Sequence, residues 1–422
     1  MRKNKSFKSI WTIVLFVVLL SLSGCWSAKK INDLAIINII GIDQNDAGDI
    51  EVSTLLVKPA SLFAQTTVGG KEESFQDKFL IETTTGKNIF EAMGKLSNAI
   101  SENIYLGHVN VVIFGEDAAR DRMESSLDFF RRENNFRPNI KLLVTKGRAS
   151  DMIKISPEFN LTLGLEIQNM TEKHHYTPTM MVKDLSQFLK DLTSNTIDPI
   201  TGVVMPAKEL GVEAVGENKD TQNKGSTEKT MTETESPRAL STQGTAVFKG
   251  GHLKGFLDED ETRGLLSIQG ELQNEIVVLS CGEKDNGTIS VIIRDTQSQF
   301  SPHTTDENMK MLVNIEINAD ITEITCSNLE LDTEKIERLN KQLGDIIVQD
   351  ASNVLNKAQK QWQTDIFGFG QAIYRKNPRE WDQMAPEWRN GTLKKMNVDL
   401  KVQANISRYG LLKNPSKANE SR

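Results

Sequence analysis

Cys25 is the residue to which the sequence gives the most explicit chemistry, because it follows Leu22-Ser23-Gly24 at the end of an N-terminal apolar run. A thiol in that setting is a nucleophile for thioether formation with a diacylglycerol, and cleavage between Gly24 and Cys25 follows. The small residues before it let a peptidase approach the backbone. Arg2, Lys3, Lys5 and Lys8 form a basic start, and Ile10 to Leu20 is apolar apart from Thr12. That run is too short to span a bilayer comfortably and is built like a cleavable export signal. Residues 1–24 therefore read as a lipoprotein signal peptide. Cys25 reads as the mature N-terminus, carrying a diacylglycerol and an N-acyl chain. Several acyl chains hold a protein to a bilayer where one is marginal.

The remaining nucleophiles and metal-ligating residue types fall in no catalytic or metal-binding spacing. None of the five histidines, His108, His174, His175, His252 and His303, sits in an H-E-x-x-H spacing. His174 and His175 are adjacent, so their side chains diverge on a helix or strand. There is no G-x-S-x-G elbow and no P-loop. Gly368-Phe369-Gly370 looks like a piece of a glycine-rich loop, but it follows a helical pattern rather than a strand. No C-x-x-C pair suggests zinc. Cys281 and Cys326 fall in strand-like segments. The exported compartment permits a disulfide, but a chain this long needs no staple, so two buried free thiols are expected. The expectation is a non-enzymatic protein without cofactor or metal.

Formal charge is -7 over 422 residues, and the signal carries only positive side chains. The mature chain is thus more acidic, about -11. That sign opposes nucleic-acid binding and adhesion to anionic lipid. A lipid anchor would supply what electrostatics does not.

The elements behind these residues alternate. Leu34 to Asp43 is an apolar, β-branched run, and Asp49 to Lys58 reads as its hairpin partner. Ile89, Met93, Leu96 and Ile100 define an amphipathic helix before a buried strand at Val109 to Phe114. Residues 25–210 are expected to form an α/β region, with a second domain from about 150 to 210. Residues 211–238 are rich in Glu, Lys and Thr and poor in large apolar residues, which predicts a mobile linker. Residues 239–410 are expected to form a C-terminal α/β domain. Gly250-Gly251 marks one hairpin in it and Asp285-Asn286-Gly287 another. A stripe from Ile336 to Trp362 predicts a helix over about 332–363, capped by Asp332. A disordered tail is expected at 411–422.

Several segments together resemble one family. Gly24-Cys25-Trp26, Ile31-Asn32-Asp33-Leu34-Ala35 and Gly41-Ile42-Asp43 are similar to the opening of the Ger(x)C lipoproteins, the C subunits of spore germinant receptors. Tyr105-Leu106-Gly107-His108 with Val111 to Glu116 matches a mid-domain strand of that family. Thr245 to Phe248, Gly255 and Glu261-Thr262-Arg263-Gly264 match the start of its C-terminal domain. Gln361, Asp365-Ile366-Phe367-Gly368-Phe369-Gly370, Tyr374, Pro378, Trp381, Trp388 and Arg408-Tyr409-Gly410 match its C-terminal signature. The chain departs from the pattern at Ser27-Ala28-Lys29-Lys30.

The resemblance implies an α+β fold of three domains, in which mixed β-sheets pack with α-helices. It implies partnership with the A and B membrane subunits of the receptor and a place on the outer face of the spore inner membrane. The alternative is an extracytoplasmic solute-binding lipoprotein that captures a nutrient itself. Gln361, Asp365, Phe367, Gly368, Phe369 and Gly370 are the positions expected to matter beyond Cys25. They form either a partner contact or a packing motif.

Overall fold

The computed structural model describes residue 11 and residues 33–57, 78–172, 181–207, 240–282, 285–304, 309–327 and 331–408. Cys25, the His174-His175 pair, the polar stretch 211–238 and the tail 411–422 lie outside them. Strands collect in two sheets. The first contains β1 (Leu34–Gln44), β2 (Ile50–Val57), β3 (Phe79–Gly86), β4 (Asn103–Tyr105), β5 (Val111–Phe114), β6 (Lys141–Val144), β7 (Lys183–Asp184), β8 (Ile200–Pro206), β9 (Leu240–Lys249) and β10 (His252–Leu257). Its path is β10-β9-β8-β6-β5-β1-β2-β3, with β4 added to β1 and β7 to β6.

β8, β6, β5 and β1 run parallel at the centre, and antiparallel strands flank them on both sides. Parallel centres are covered on both faces, so their strands are apolar throughout. In β5, Val112 and Phe114 face one core while Val111 and Ile113 face the other. Helices Ile89–Ala99, Met123–Arg132 and Leu185–Leu192 cover the first face. Helices Ala149–Ile153 and Leu163–Glu172 cover the second. Buried Asp43 caps the Ala149–Ile153 helix by accepting from the amides of Ala149 and Ser150 at 2.7 and 2.9 Å.

The second sheet is β11 (Ile276–Ser280), β12 (Thr288–Thr304), β13 (Met309–Ile324) and β14 (Asn397–Arg408), in that order. Alternation in β13 buries Met311, Val313, Ile315, Ile317 and Ala319. The Thr333–Leu355 helix lies across that face with Leu339, Leu343, Ile347, Ala351 and Val354 buried, and Asp332 caps it. Helix Glu259–Gln269 crosses the long helix at Gly264, where a Cβ would sit 2.4 Å from the Asp350 carbonyl.

Four expectations need correction. Cys281 and Cys326 form a disulfide, with Cα atoms 5.9 Å apart, rather than two free thiols. Turning the chain from β11 into β12 and ending β13 beside it brings both sulfurs to one end of the sheet. The strand pairing also crosses the boundary placed at 239, because β9 pairs with β8 and β10 with β9. An apolar parallel strand such as β8 needs a neighbour on each edge, and β9 supplies the second. Residues 150–172 and 181–207 likewise cover and extend the first sheet instead of standing apart. Finally, the expected helix over 332–363 is α-helical only to Leu355 and continues as a π-helix from Asn356 to Trp362.

The Gly264 crossing is testable. Alanine favours a helix interior by about 1 kcal/mol over glycine. Overpacking costs about 1–3 kcal/mol, and a 2.4 Å approach to backbone cannot relax by rotating a side chain. Gly264→Ala should therefore lower stability in urea unfolding. An unchanged or raised midpoint would contradict the close crossing.

Candidate functional site

The C-terminal signature folds around one carboxylate. Asp365 is fully buried. It accepts from the amides of Gly368 (2.9 Å), Phe369 (3.0 Å) and Gly370 (2.7 Å), and from Trp388 Nε1 (3.1 Å). It thus ties down the start of helix Phe369–Lys376. Gly368 takes φ +83°, a left-handed conformation that costs an L-residue roughly 1–2 kcal/mol. At Gly370 a Cβ would lie 2.6 Å from Trp381 Cη2 and 2.8 Å from the Thr196 carbonyl. Trp381 and Trp388 meet edge to face, with centroids 5.4 Å apart. Burial pushes the Asp365 carboxyl up to about 6, and the amides that donate to it pull the other way.

A second carboxylate completes the junction. The amide of Asp365 donates to Asp198 Oδ2 at 2.8 Å, and the amide of Asp198 donates to the Asp365 carbonyl at 2.8 Å. Arg389 Nε lies 3.0 Å from Asp198 Oδ1, and its Nη2 donates to the carbonyls of Ser194 (3.1 Å) and Ile197 (2.8 Å). Asp198 immediately precedes Pro199 and β8, so this network fastens the first sheet to the helices beside the second. Burial raises the Asp198 carboxyl against the pull of Arg389.

Phe367 and Phe369 are buried beside Asp365, stacked with centroids 5.0 Å apart. Gln361 is exposed on the π-helix and stands apart from the turn. Five of the six expected positions therefore converge on one buried turn. On the same π segment, Gln359 donates to the carbonyls of Leu393 (2.6 Å) and Met396 (2.7 Å). Trp362 covers Gly255, where a Cβ would meet its ring at 2.7 Å.

The Glu261-Thr262-Arg263-Gly264 segment is a second buried cluster. Glu261 closes a capping box with Asp258 and pairs with Lys357 at 2.6 Å. Arg263 reaches Asp350 at 2.8 Å, Asp260 at 2.7 Å and Glu275 at 3.4 Å. Burial raises the Glu275 carboxyl to about 7 despite Arg263. His108 is exposed, its ring 5.3 Å from that of Tyr105.

Residues 27–205 match the family described as "Spore germination protein N-terminal domain", and residues 243–410 match "Spore germination B3/ GerAC like, C-terminal". The chain belongs to the Ger(x)C family of spore germination proteins. It is 26% identical to Spore germination protein KC of Bacillus subtilis, over 97% of this chain and 98% of that one. It is 24% identical to Spore germination protein B3 of the same organism, over 89% and 91%. The crystal structure of the GerBC protein superposes with a TM-score of 0.51 at 15% identity, covering 87% of this chain and 96% of that one. That likeness shows a shared fold of mixed sheets and helices.

Within this Ger(x)C chain the signature residues act on packing. Asp198, Arg389, Asp350 and Glu275 escaped the sequence reading. Asp350 carried a signal, since it occupies a position in the apolar stripe of the long helix, where a charge requires a partner. Among the described residues, no helix is long and apolar enough to cross a membrane.

Asp365→Ala would strand three amides and an indole N–H in a dry site. Each costs about 1–3 kcal/mol when unmet, so denaturant unfolding should show a loss of several kcal/mol. A loss within about 0.5 kcal/mol, typical of surface changes, would remove Asp365 from its central place. Glu275 sets a pH dependence. Its folded-state value near 7 lies above the ordinary 4.5. Its contribution is therefore full below about 4.5 and is lost as pH rises through 7. Glu275→Gln should flatten the decline in unfolding free energy across that window, and identical wild-type and variant slopes would refute the assignment.

Proposed function

We propose that this protein is the lipid-anchored C subunit of a nutrient germinant receptor, acting with two integral-membrane subunits in spore germination. The observation that carries the reading is collinearity with spore germination proteins over nearly the whole chain. Its role is docking rather than catalysis. The diacylglycerol and N-acyl chain on Cys25 hold it on the extracytoplasmic face of the spore inner membrane. The lipobox ahead of Cys25 supports that anchor. The rigid junction at Asp365 and Asp198 supports a body whose two sheets present fixed surfaces to partners.

One feature favours the solute-binding alternative. A cleft of about 1020 Å³ opens between the Leu185–Leu192 helix and the wall formed by β12 and helix Phe369–Lys376. Calorimetry of the whole protein against free amino acids and sugars separates the readings. Saturable binding supports direct capture, and its absence supports docking.

Cys25→Ala should move the protein from the membrane to the soluble fraction and abolish the nutrient response. Far-ultraviolet circular dichroism should stay unchanged. Normal germination with a soluble variant would overturn the anchoring role.

A further inference from the structure

The cleft between the two halves combines a free strand edge with an excess of positive charge. β11 pairs with β12 only over Thr288–Ile292, whereas β13 accompanies the opposite edge as far as Thr304. From Asp295 to Thr304, the outer edge of β12 has no strand partner among the described residues; Gly270 packs against it at the Ser298 amide and Lys376 at the Pro302 carbonyl, and the rest is unpaired by any strand. Ser298 to His303 of that stretch line the cleft. Unpaired strand edges are templates for another strand, and proteins usually cover or blunt them.

The charge at this edge differs in sign from that of the chain. Lys183 and Lys190 stand on one wall and Arg375 and Lys376 on the other, against Asp191 and Glu271. The whole chain is -7. Lys376 donates to the Pro302 carbonyl. Lys183, Lys190 and Arg375 make no ion pair within 4.0 Å among the described residues, and Asp191 is the carboxylate that Lys183 and Lys190 share. Gln269 Oε1 and Ser298 Oγ, buried atoms of cleft-lining residues, lack hydrogen-bond partners. Phe300 and Phe367 supply apolar floor between the walls.

We infer that this cleft binds an extended acidic segment of a partner protein, which adds as a strand to the outer edge of β12 and sets its carboxylates against Lys183, Lys190 and Arg375. At about 1020 Å³ the cleft is at the upper end of small-molecule sites, and it lies along a strand rather than closing over a point. Strand addition takes affinity from main-chain hydrogen bonds and specificity from alternate side chains. This extends the docking role proposed above. The cleft is assayed without reference to membrane partition, so its failure is distinguishable from failure of the Cys25 anchor.

The probe is a fluorescein-labelled, end-blocked peptide of alternating Glu and Val, titrated into the full-length lipidated protein in neutral detergent and read by fluorescence polarisation. Saturable binding is expected. Lys190→Glu combined with Arg375→Glu should weaken it about tenfold or more through like-charge repulsion, with the thermal midpoint unchanged because both residues are exposed. Methylating alternate backbone nitrogens of the peptide should weaken it about as much, because the ladder donors are lost. Absence of saturable binding overturns the inference. So does binding indifferent to either change, or free glutamate competing at the same concentration as the peptide.

Discussion

The packing of the two sheets depends on two buried aspartates whose main chains are tied to one another. Asp365 and Asp198 are 167 residues apart in sequence, and each donates its amide to the other. A buried carboxylate is costly unless its oxygens are met by donors. Asp365 meets three amides and an indole N–H, and Asp198 accepts from the Asp365 amide and stands in an ion pair with Arg389. Removing a donor raises that cost at a site where Asp365 and Asp198 are both fully buried. The arrangement therefore enforces one docking of the first sheet on the C-terminal helices, in a way that apolar contact alone would not.

The surrounding geometry follows from that fixed point. Gly368 and Gly370 are needed because the chain must curl around the carboxylate and lie against Trp381. The Leu185–Leu192 helix precedes Asp198 closely and the Phe369–Lys376 helix follows Asp365 closely, so the two walls of the cleft are held from the same place. The Arg263 cluster does similar work nearby, pinning helix Glu259–Gln269 to Asp350 of the long helix. In both places a buried charge fixes how two elements are oriented.

Regular local patterns made much of the fold legible. The β-branched run at Leu34, the Gly250-Gly251 hairpin, the Asp332 cap and the three-four stripe of the long helix each carry their own period. The second half of β12 did not, because Gln297, Ser298, Gln299, Ser301 and Pro302 read as loop. It is a strand because β13 pairs with it over its whole length. The π segment was also hidden, since the apolar stripe runs on through Ala358 and Trp362. The extra residue per turn answers to Gln359 and Trp362, which reach Leu393, Met396 and Gly255 from elsewhere in the chain. At the signature, residue types marked where something was held tightly. They did not reveal that Asp198 was the other half, because that pairing exists only through tertiary contact.

The ten-stranded sheet also bears on how the protein can be divided. The two family matches part between residues 205 and 243, yet β9, which runs out of that gap, and β10 beyond it belong to the sheet that precedes it. Severing the chain there would leave β8 with a bare edge on one fragment. The other fragment would begin with a hairpin whose partner is missing. The sequence halves are thus interlocked rather than modular, and exchange between relatives would preserve hydrogen bonding better after Leu257 than at the compositional break. Inheritance of this fold by shuffling is constrained by one hairpin of the C-terminal half completing the sheet of the N-terminal half.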